Sequence, residues 1–124
     1  MKKKPLPLHE PRFFGNEVEY LNKSIRSTWV STSGEYIKKF EKQVVTYTGK
    51  KYAIACNSGT SSLHISLLVA GVGSGDEVIV PTLTFIAPIN AVKYVNANPI
   101  FMDCDEYFNI DLIKTIEFIK KETE

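Results

Sequence analysis

The sequence predicts an α/β fold in which three parallel strands are joined by crossover helices and preceded by two amphipathic helices. Three observations carry that reading. From Tyr52 onward, short apolar runs alternate with helix-length stretches. The connections between those runs are long enough to hold a helix, which implies parallel strands with right-handed crossovers. Upstream of Gly49, apolar residues recur at spacings of three and four, the period of one helix face.

Taken in order, residues 1–14 read as an extended arm, rich in lysine and proline from Lys2 to Pro7. A helix is expected over Glu17 to Ser27. Asn16 stands at the cap position, Glu19 follows three residues later as in a capping box, and Val18, Leu21 and Ile25 share one face. Trp29 to Gly34 is turn-rich. A second helix carries Ile37, Phe40, Val44 and Tyr47 and stops at Gly49, so that residues 15–49 form a helical segment ahead of an α/β portion over 50–124. In that portion Tyr52-Ala-Ile-Ala-Cys56 reads as a first strand, Asn57 to Ser61 as a loop, and Ser62 to Ala70 as a helix closed by Gly71. Glu77 to Val80 is a second strand, followed by a turn at Pro81 and a helix from about Phe85 to Val95, with Pro88 in its first turn where a missing N–H is tolerated. Pro99 to Met102 is a third strand. Asp111 then caps a last helix whose Leu112, Ile113, Ile116 and Ile119 line one face.

Composition narrows the function. At 124 residues, with 44% hydrophobic and 23% charged, the chain has the make-up of a globular protein. Fifteen Lys and Arg against fourteen Asp and Glu leave a net charge of +1, so no overall field draws nucleic acid or an anionic membrane. The basic start, Lys2 to Lys4, is followed by Pro5, Pro7, His9, Glu10 and Arg12 rather than an apolar segment, which disfavours a secretion signal. The apolar stretch Ile65 to Val72 is far short of the roughly 20 residues of a membrane span. A cytoplasmic protein is expected. Cys56 and Cys104 lack a Cys-x-x-Cys spacing and are expected to be buried, unreactive thiols.

Ligands of open parallel sheets bind beyond the carboxyl ends of the strands. Gly71-Val-Gly73-Ser-Gly75 follows a helix and precedes a strand, so it lies at the wrong edge and reads as a helix stop and turn. Asn57-Ser-Gly-Thr-Ser-Ser62 lies at the right edge. Gly59 allows close approach of a ligand, Thr60, Ser61 and Ser62 offer hydroxyls, and the N–H groups of the helix start point the same way. From these residues alone an anion cradle and an ordinary Ser/Thr-capped helix start stand level. The loop has no lysine, which argues against a nucleoside triphosphate. Phe85, after the second strand, offers either a flat face for a planar ring or a core side chain. Ser58, His64 and Asp103 have the residue types of a hydrolytic triad without its Gly-x-Ser-x-Gly elbow, and His64 reads as a helix-surface residue. Asp103, Asp105 and Glu106 read as a solvated loop rather than a cation site.

The run Asn57 to Gly71, with Gly75-Asp-Glu-Val-Ile-Val-Pro81 and Thr84-Phe-Ile-Ala87, resembles the DegT/StrS family of nucleotide-sugar aminotransferases. So do Asn90-Ala-Val, Pro99-Ile-Phe-Met-Asp103, Asn109-Ile-Asp111, Ser27-Thr-Trp-Val-Ser31 and Phe40-Glu41. The matching runs keep their order from about Phe14 to the last helix. The opening Pro7 to Gly15 is similar to the subgroup acting on bacillosamine- or legionaminic-type sugars.

The resemblance implies part of an aspartate-aminotransferase (type I) fold, pyridoxal 5'-phosphate as cofactor, and a homodimer. It implies that Thr60 and Ser61, with Gly59 shaping the turn, hold the cofactor phosphate and that Phe85 stacks on the pyridine ring. It further implies transfer of an amino group, from glutamate, to a nucleotide-linked keto-deoxy sugar. Family members are roughly three times this long, beyond the size one core usually serves. Their Schiff-base lysine lies in a motif that does not occur here, and Lys50, Lys51 and Lys93 stand in no matching context. The expectation is therefore an N-terminal portion of such an enzyme, inactive alone and without a catalytic residue of its own. The competing expectations are a non-catalytic phosphate-binding or subunit-pairing module, and part of a sugar dehydratase of the same family.

Overall fold

The computed structural model describes residues 6–7 and 9–123. They run as α1 (Glu17–Ser27), α2 (Glu35–Thr48), α3 (Gly59–Val69), β1 (Glu77–Pro81), α4 (Ile86–Tyr94), β2 (Asn98–Met102) and α5 (Leu112–Thr123). The chain divides into two compact units, Met1–Ala55 and Cys56–Glu124.

In the first unit α1 and α2 occupy the expected segments, but the expected capping box does not form. Asn16 takes φ −93° and ψ 18°, not the extended conformation from which a cap side chain reaches back, and it makes no capping bond. Glu17 accepts from the Gly15 N–H at 2.9 Å instead, and Glu19 is drawn one turn forward to Lys23 at 2.5 Å. The matching pair on α2 is Glu35 and Lys39. Their mutual hydrogen bond lowers the Glu35 carboxyl pKa and raises that of Lys39, as the bond to Glu19 raises that of Lys23. Tyr20 of α1 and Tyr36 of α2 bring their rings to 5.1 Å between centroids. Both helices end in left-handed residues, Gly49 with φ 67° and Thr28 with φ 63°. Glycine adopts this conformation without strain, whereas threonine does not.

The second unit is built on the parallel pair β1 and β2, in register from Glu77 opposite Asn98 to Pro81 opposite Met102. Asp76 fixes the start of this ladder. Its carboxylate accepts from the Gly73 N–H at 2.8 Å, and its carbonyl accepts from the Asn98 N–H at 2.8 Å. Thr82 fixes the other end, donating both its N–H (2.9 Å) and its hydroxyl (3.2 Å) to the Met102 carbonyl. Helix α4 is the crossover and packs on both strands and on α3. The buried core is Val80, Ala91, Val92, Val95, Ala97 and Met102, with Leu67, Val72, Val78 and Ile89 packed around it.

Two strands form where three were expected. Tyr52 to Cys56 is irregular, and Ile54 is 84% exposed. A strand exists only through a ladder partner, and no segment among the described residues pairs with this one. Its apolar composition is that of a strand, but composition supplies no partner. The remaining elements lie within three residues of their expected bounds. The largest shift is at α3, which starts at Gly59 rather than Ser62 because Ser58 makes the cap.

Candidate functional site

The start of α3 is set by Ser58, whose extended backbone (φ −159°, ψ 159°) swings its hydroxyl over the first turn. Ser58 Oγ accepts from the Ser61 N–H at 3.2 Å, and the Ser58 carbonyl accepts from the Ser62 N–H at 3.1 Å and from the Ser62 hydroxyl at 3.2 Å. Ser61 Oγ lies 3.0 Å from Ser58 Oγ. The amides of Gly59 and Thr60 have no acceptor among the described residues, as the geometry of a helix start requires. The Thr60 hydroxyl likewise has no partner among those residues. Two amides and the Thr60 hydroxyl are thus unpaired at one helix end, beside a Ser61 hydroxyl held only by Ser58, where the aligned peptide dipoles favour negative charge.

The Gly59 backbone does not take the left-handed conformation, and the extended residue before α3 is Ser58, so of the two parts expected of Gly59 the close approach of a ligand is the one that asks for no special φ. A Cβ added at Gly59 would meet nothing within 4 Å. A side chain there would thus stand in open space, which glycine leaves free. The donor set, free N–H groups and hydroxyls at a helix start without a lysine, matches the chemistry of a single phosphate group.

The chain order puts Phe85 at the same edge of the sheet. Helix α3 delivers the chain to the amino end of β1, and α4 delivers it to the amino end of β2. Helix α4 leaves the carboxyl end of β1 and so begins at the carboxyl edge, while α3 packs on α4 and passes its own carboxyl end toward the start of β1, as expected of a helix that begins at that same edge. Phe85 occupies the cap position of α4 with extended backbone and is 87% exposed. With Leu83 and Thr84 it lines a shallow recess of about 430 Å³.

The other candidates are committed elsewhere. Ser58 caps α3, His64 meets the Tyr94 ring edge-on at 5.5 Å, and Asp103 is paired with Lys114 at 2.7 Å, so no triad assembles. Asp105 is used inside its own loop, accepting from the N–H groups of Tyr107 and Asn109 at 2.9 Å each. Among the described residues no group of three His, Cys, Asp or Glu is placed to hold a metal. Cys56 and Cys104 are free and half-buried, less covered than expected. Gly71 and Gly75 are left-handed turn residues with φ 80° and 95°. Among the described residues no helix is long and apolar enough to cross a membrane. Trp29, Tyr36 and the serines between α1 and α2 line a cleft of about 650 Å³ in the first unit. Sequence reasoning left a Ser/Thr-capped helix start open at this loop without naming its cap; the structure gives that role to Ser58, and Ser58-Gly-Thr-Ser61 before an apolar helix carries the signal.

A family model described as the DegT/DnrJ/EryC1/StrS aminotransferase family matches residues 13–124. The chain belongs to that family. Among DegT relatives, GDP-perosamine synthase of Escherichia coli O157:H7 is 48% identical over 102 residues, covering 82% of this chain and 28% of that protein. The chain thus spans just over a quarter of that relative's length. The solved structure of a putative sugar aminotransferase, Spr1654 from Streptococcus pneumoniae, in its pyridoxal-phosphate form, is 32% identical with a TM-score of 0.77, over 86% of this chain and 27% of that one. The E. coli GDP-4-keto-6-deoxy-D-mannose-3-dehydratase, with hydrated pyridoxal phosphate bound, is 25% identical with a TM-score of 0.77, over 90% of this chain and 30% of that one.

Proposed function

We propose that this chain supplies the cofactor-phosphate seat of a pyridoxal-phosphate-dependent sugar aminotransferase that works as a homodimer and moves an amino group from glutamate to a nucleotide-linked keto-deoxy sugar. The observation that carries the reading is the start of α3, where the Gly59 and Thr60 amides and the Thr60 hydroxyl have no partner among the described residues and the Ser61 hydroxyl is held only by Ser58, in a chain of the DegT family. Pyridoxal phosphate, when bound, supplies the electron sink that amino transfer needs. The Gly59 and Thr60 amides donate to the phosphate oxygens, the Thr60 and Ser61 hydroxyls add to them, and Phe85 offers its face to the pyridine ring. A charge-assisted hydrogen bond contributes about 1.5–3 kcal/mol, and a helix end about 0.3–2 kcal/mol per favourable charge, enough to hold a dianion. No residue of the chain is assigned the catalytic role. The relatives' names support a GDP-linked keto sugar ahead of the bacillosamine- or legionaminic-type sugars expected from the N-terminal run.

Thr60→Val tests the seat, because it removes a hydroxyl with little change in volume. Binding of pyridoxamine 5'-phosphate, which has no aldehyde to react with surface lysines, should weaken roughly tenfold by calorimetry. Unchanged affinity would place the phosphate elsewhere. Likeness to the E. coli dehydratase supports a second reading, in which the same seat serves a dehydration. In a complete enzyme that carries this segment, an aminated sugar product formed at the expense of glutamate decides for the first reading, and a deoxygenated product without net amino transfer decides for the second.

A further inference from the structure

We infer that Ser58 is a positioning residue that aims the Ser61 hydroxyl proton at the cofactor phosphate, an inference that rests on the seat proposed above. Ser58 Oγ already accepts from the Ser61 N–H at 3.2 Å. Its own proton has one acceptor among the described residues, Ser61 Oγ at 3.0 Å. The two hydroxyls can point their shared hydrogen bond either way while no ligand is present. A phosphate dianion breaks that symmetry, since its oxygens only accept. The Ser61 O–H then turns to the phosphate, and the Ser58 O–H takes over the donor role behind it. The result is one directed chain: Ser61 N–H to Ser58 Oγ, Ser58 O–H to Ser61 Oγ, Ser61 O–H to phosphate. Hydrogen bonds in such a chain polarise one another, and the last is charge-assisted.

The same geometry divides the labour at the helix start. The Ser61 amide is occupied by Ser58, so Ser61 contributes through its side chain, while Gly59 and Thr60 contribute through their backbone. Ser58 holds the cap with its oxygen and orients Ser61 with its proton. A cap side chain that accepts but carries no hydroxyl proton performs only the first task.

The variants separate the two tasks. Asn is as good a cap as Ser, so Ser58→Asn preserves the helix start yet lacks the hydroxyl proton. Ser58→Thr keeps both functions. With pyridoxamine 5'-phosphate as probe, calorimetry on the full chain should show Ser58→Asn and Ser61→Ala each weakening binding roughly tenfold. Ser58→Thr should stay within about twofold of wild type. The double variant Ser58→Asn/Ser61→Ala should bind no worse than Ser61→Ala alone, the non-additivity expected when one residue acts through another. Helix content by circular dichroism should be unchanged throughout. The inference is overturned if Ser58→Asn binds as wild type, if its loss persists in full in the Ser61→Ala background, or if Ser58→Asn loses helix content. If Thr60→Val also leaves binding unchanged, it is the seat that fails. If Thr60→Val weakens binding and Ser58→Asn does not, only the relay fails.

Discussion

At the scale of residues, the pair beyond β2 shows how one contact organises a loop. Asp103 receives the Lys114 ammonium at 2.7 Å on one oxygen and the Cys104 N–H at 2.8 Å on the other. The Lys114 hydrogen bond first, and the Cys104 amide second, hold its carboxyl below the ordinary aspartate range. Lys114 is raised in turn, chiefly by its hydrogen bond to Asp103. A carboxyl depressed on folding contributes stability above its unfolded pKa of about 3.9 and loses it as the pH falls through the lower folded value. A lysine raised on folding contributes below its unfolded pKa of about 10.4 and loses that contribution as the pH rises through the higher folded value. In Lys114→Met, a carboxyl-detected NMR titration should find the Asp103 midpoint moved up toward the ordinary range. A midpoint left where it was would show that the backbone donor alone sets it. At this scale the sequence was informative about which residues offer hydroxyls at α3. It left open which serine of the loop makes the cap, because Ser58 and Ser61 differ in backbone conformation and not in residue type.

At the scale of elements, caps and partners decide what apolar spacing alone leaves open. Helix α2 stops at Gly49 because a left-handed residue closes its last turn, with the Gly49 N–H donating to the Val45 carbonyl at 3.0 Å. Gly49→Ala should destabilise by about 1 kcal/mol, read as a lower urea midpoint at unchanged slope. Space is no obstacle there, since an added Cβ meets nothing within 4 Å, so a neutral result would mean that the backbone relaxes out of φ 67°. The helices were legible because their signal is local: Val18, Leu21 and Ile25 mark α1 whatever lies around them. Segment 52–56 was misread for the converse reason. Whether an apolar run becomes a strand depends on a partner distant in sequence, and no local pattern reports that. The capping box at Asn16 failed on a competition between near-equal contacts, in which Lys23 drew Glu19 away.

At the scale of the whole molecule, the described core is small and the exposed apolar surface large. Val92, 2% exposed, sits where α4 meets the sheet, and Val92→Ala should cost about 2 kcal/mol, as a change in the free energy of urea unfolding. Leu112, Ile113 and Ile116 stand exposed along α5, as do Ile65 and Leu68 on α3. Exposed apolar patches of this kind favour association, so light scattering on the 124-residue chain should show a mean particle mass that rises with concentration. A mass that stays at that of the monomer across the range would refute that. Even so, the small core leaves the ligand edge well tied. Thr82 is fastened twice to the Met102 carbonyl, and Phe85 follows three residues later. A tether of that length reaches at most roughly 11 Å. An aromatic ring on a long free loop would surrender backbone entropy of about 1–2 kcal/mol for every residue it ordered on stacking. Phe85, moored so near its root, has little beyond the rotation of its own side chain left to give up, which would let the stacking proposed for it count almost in full.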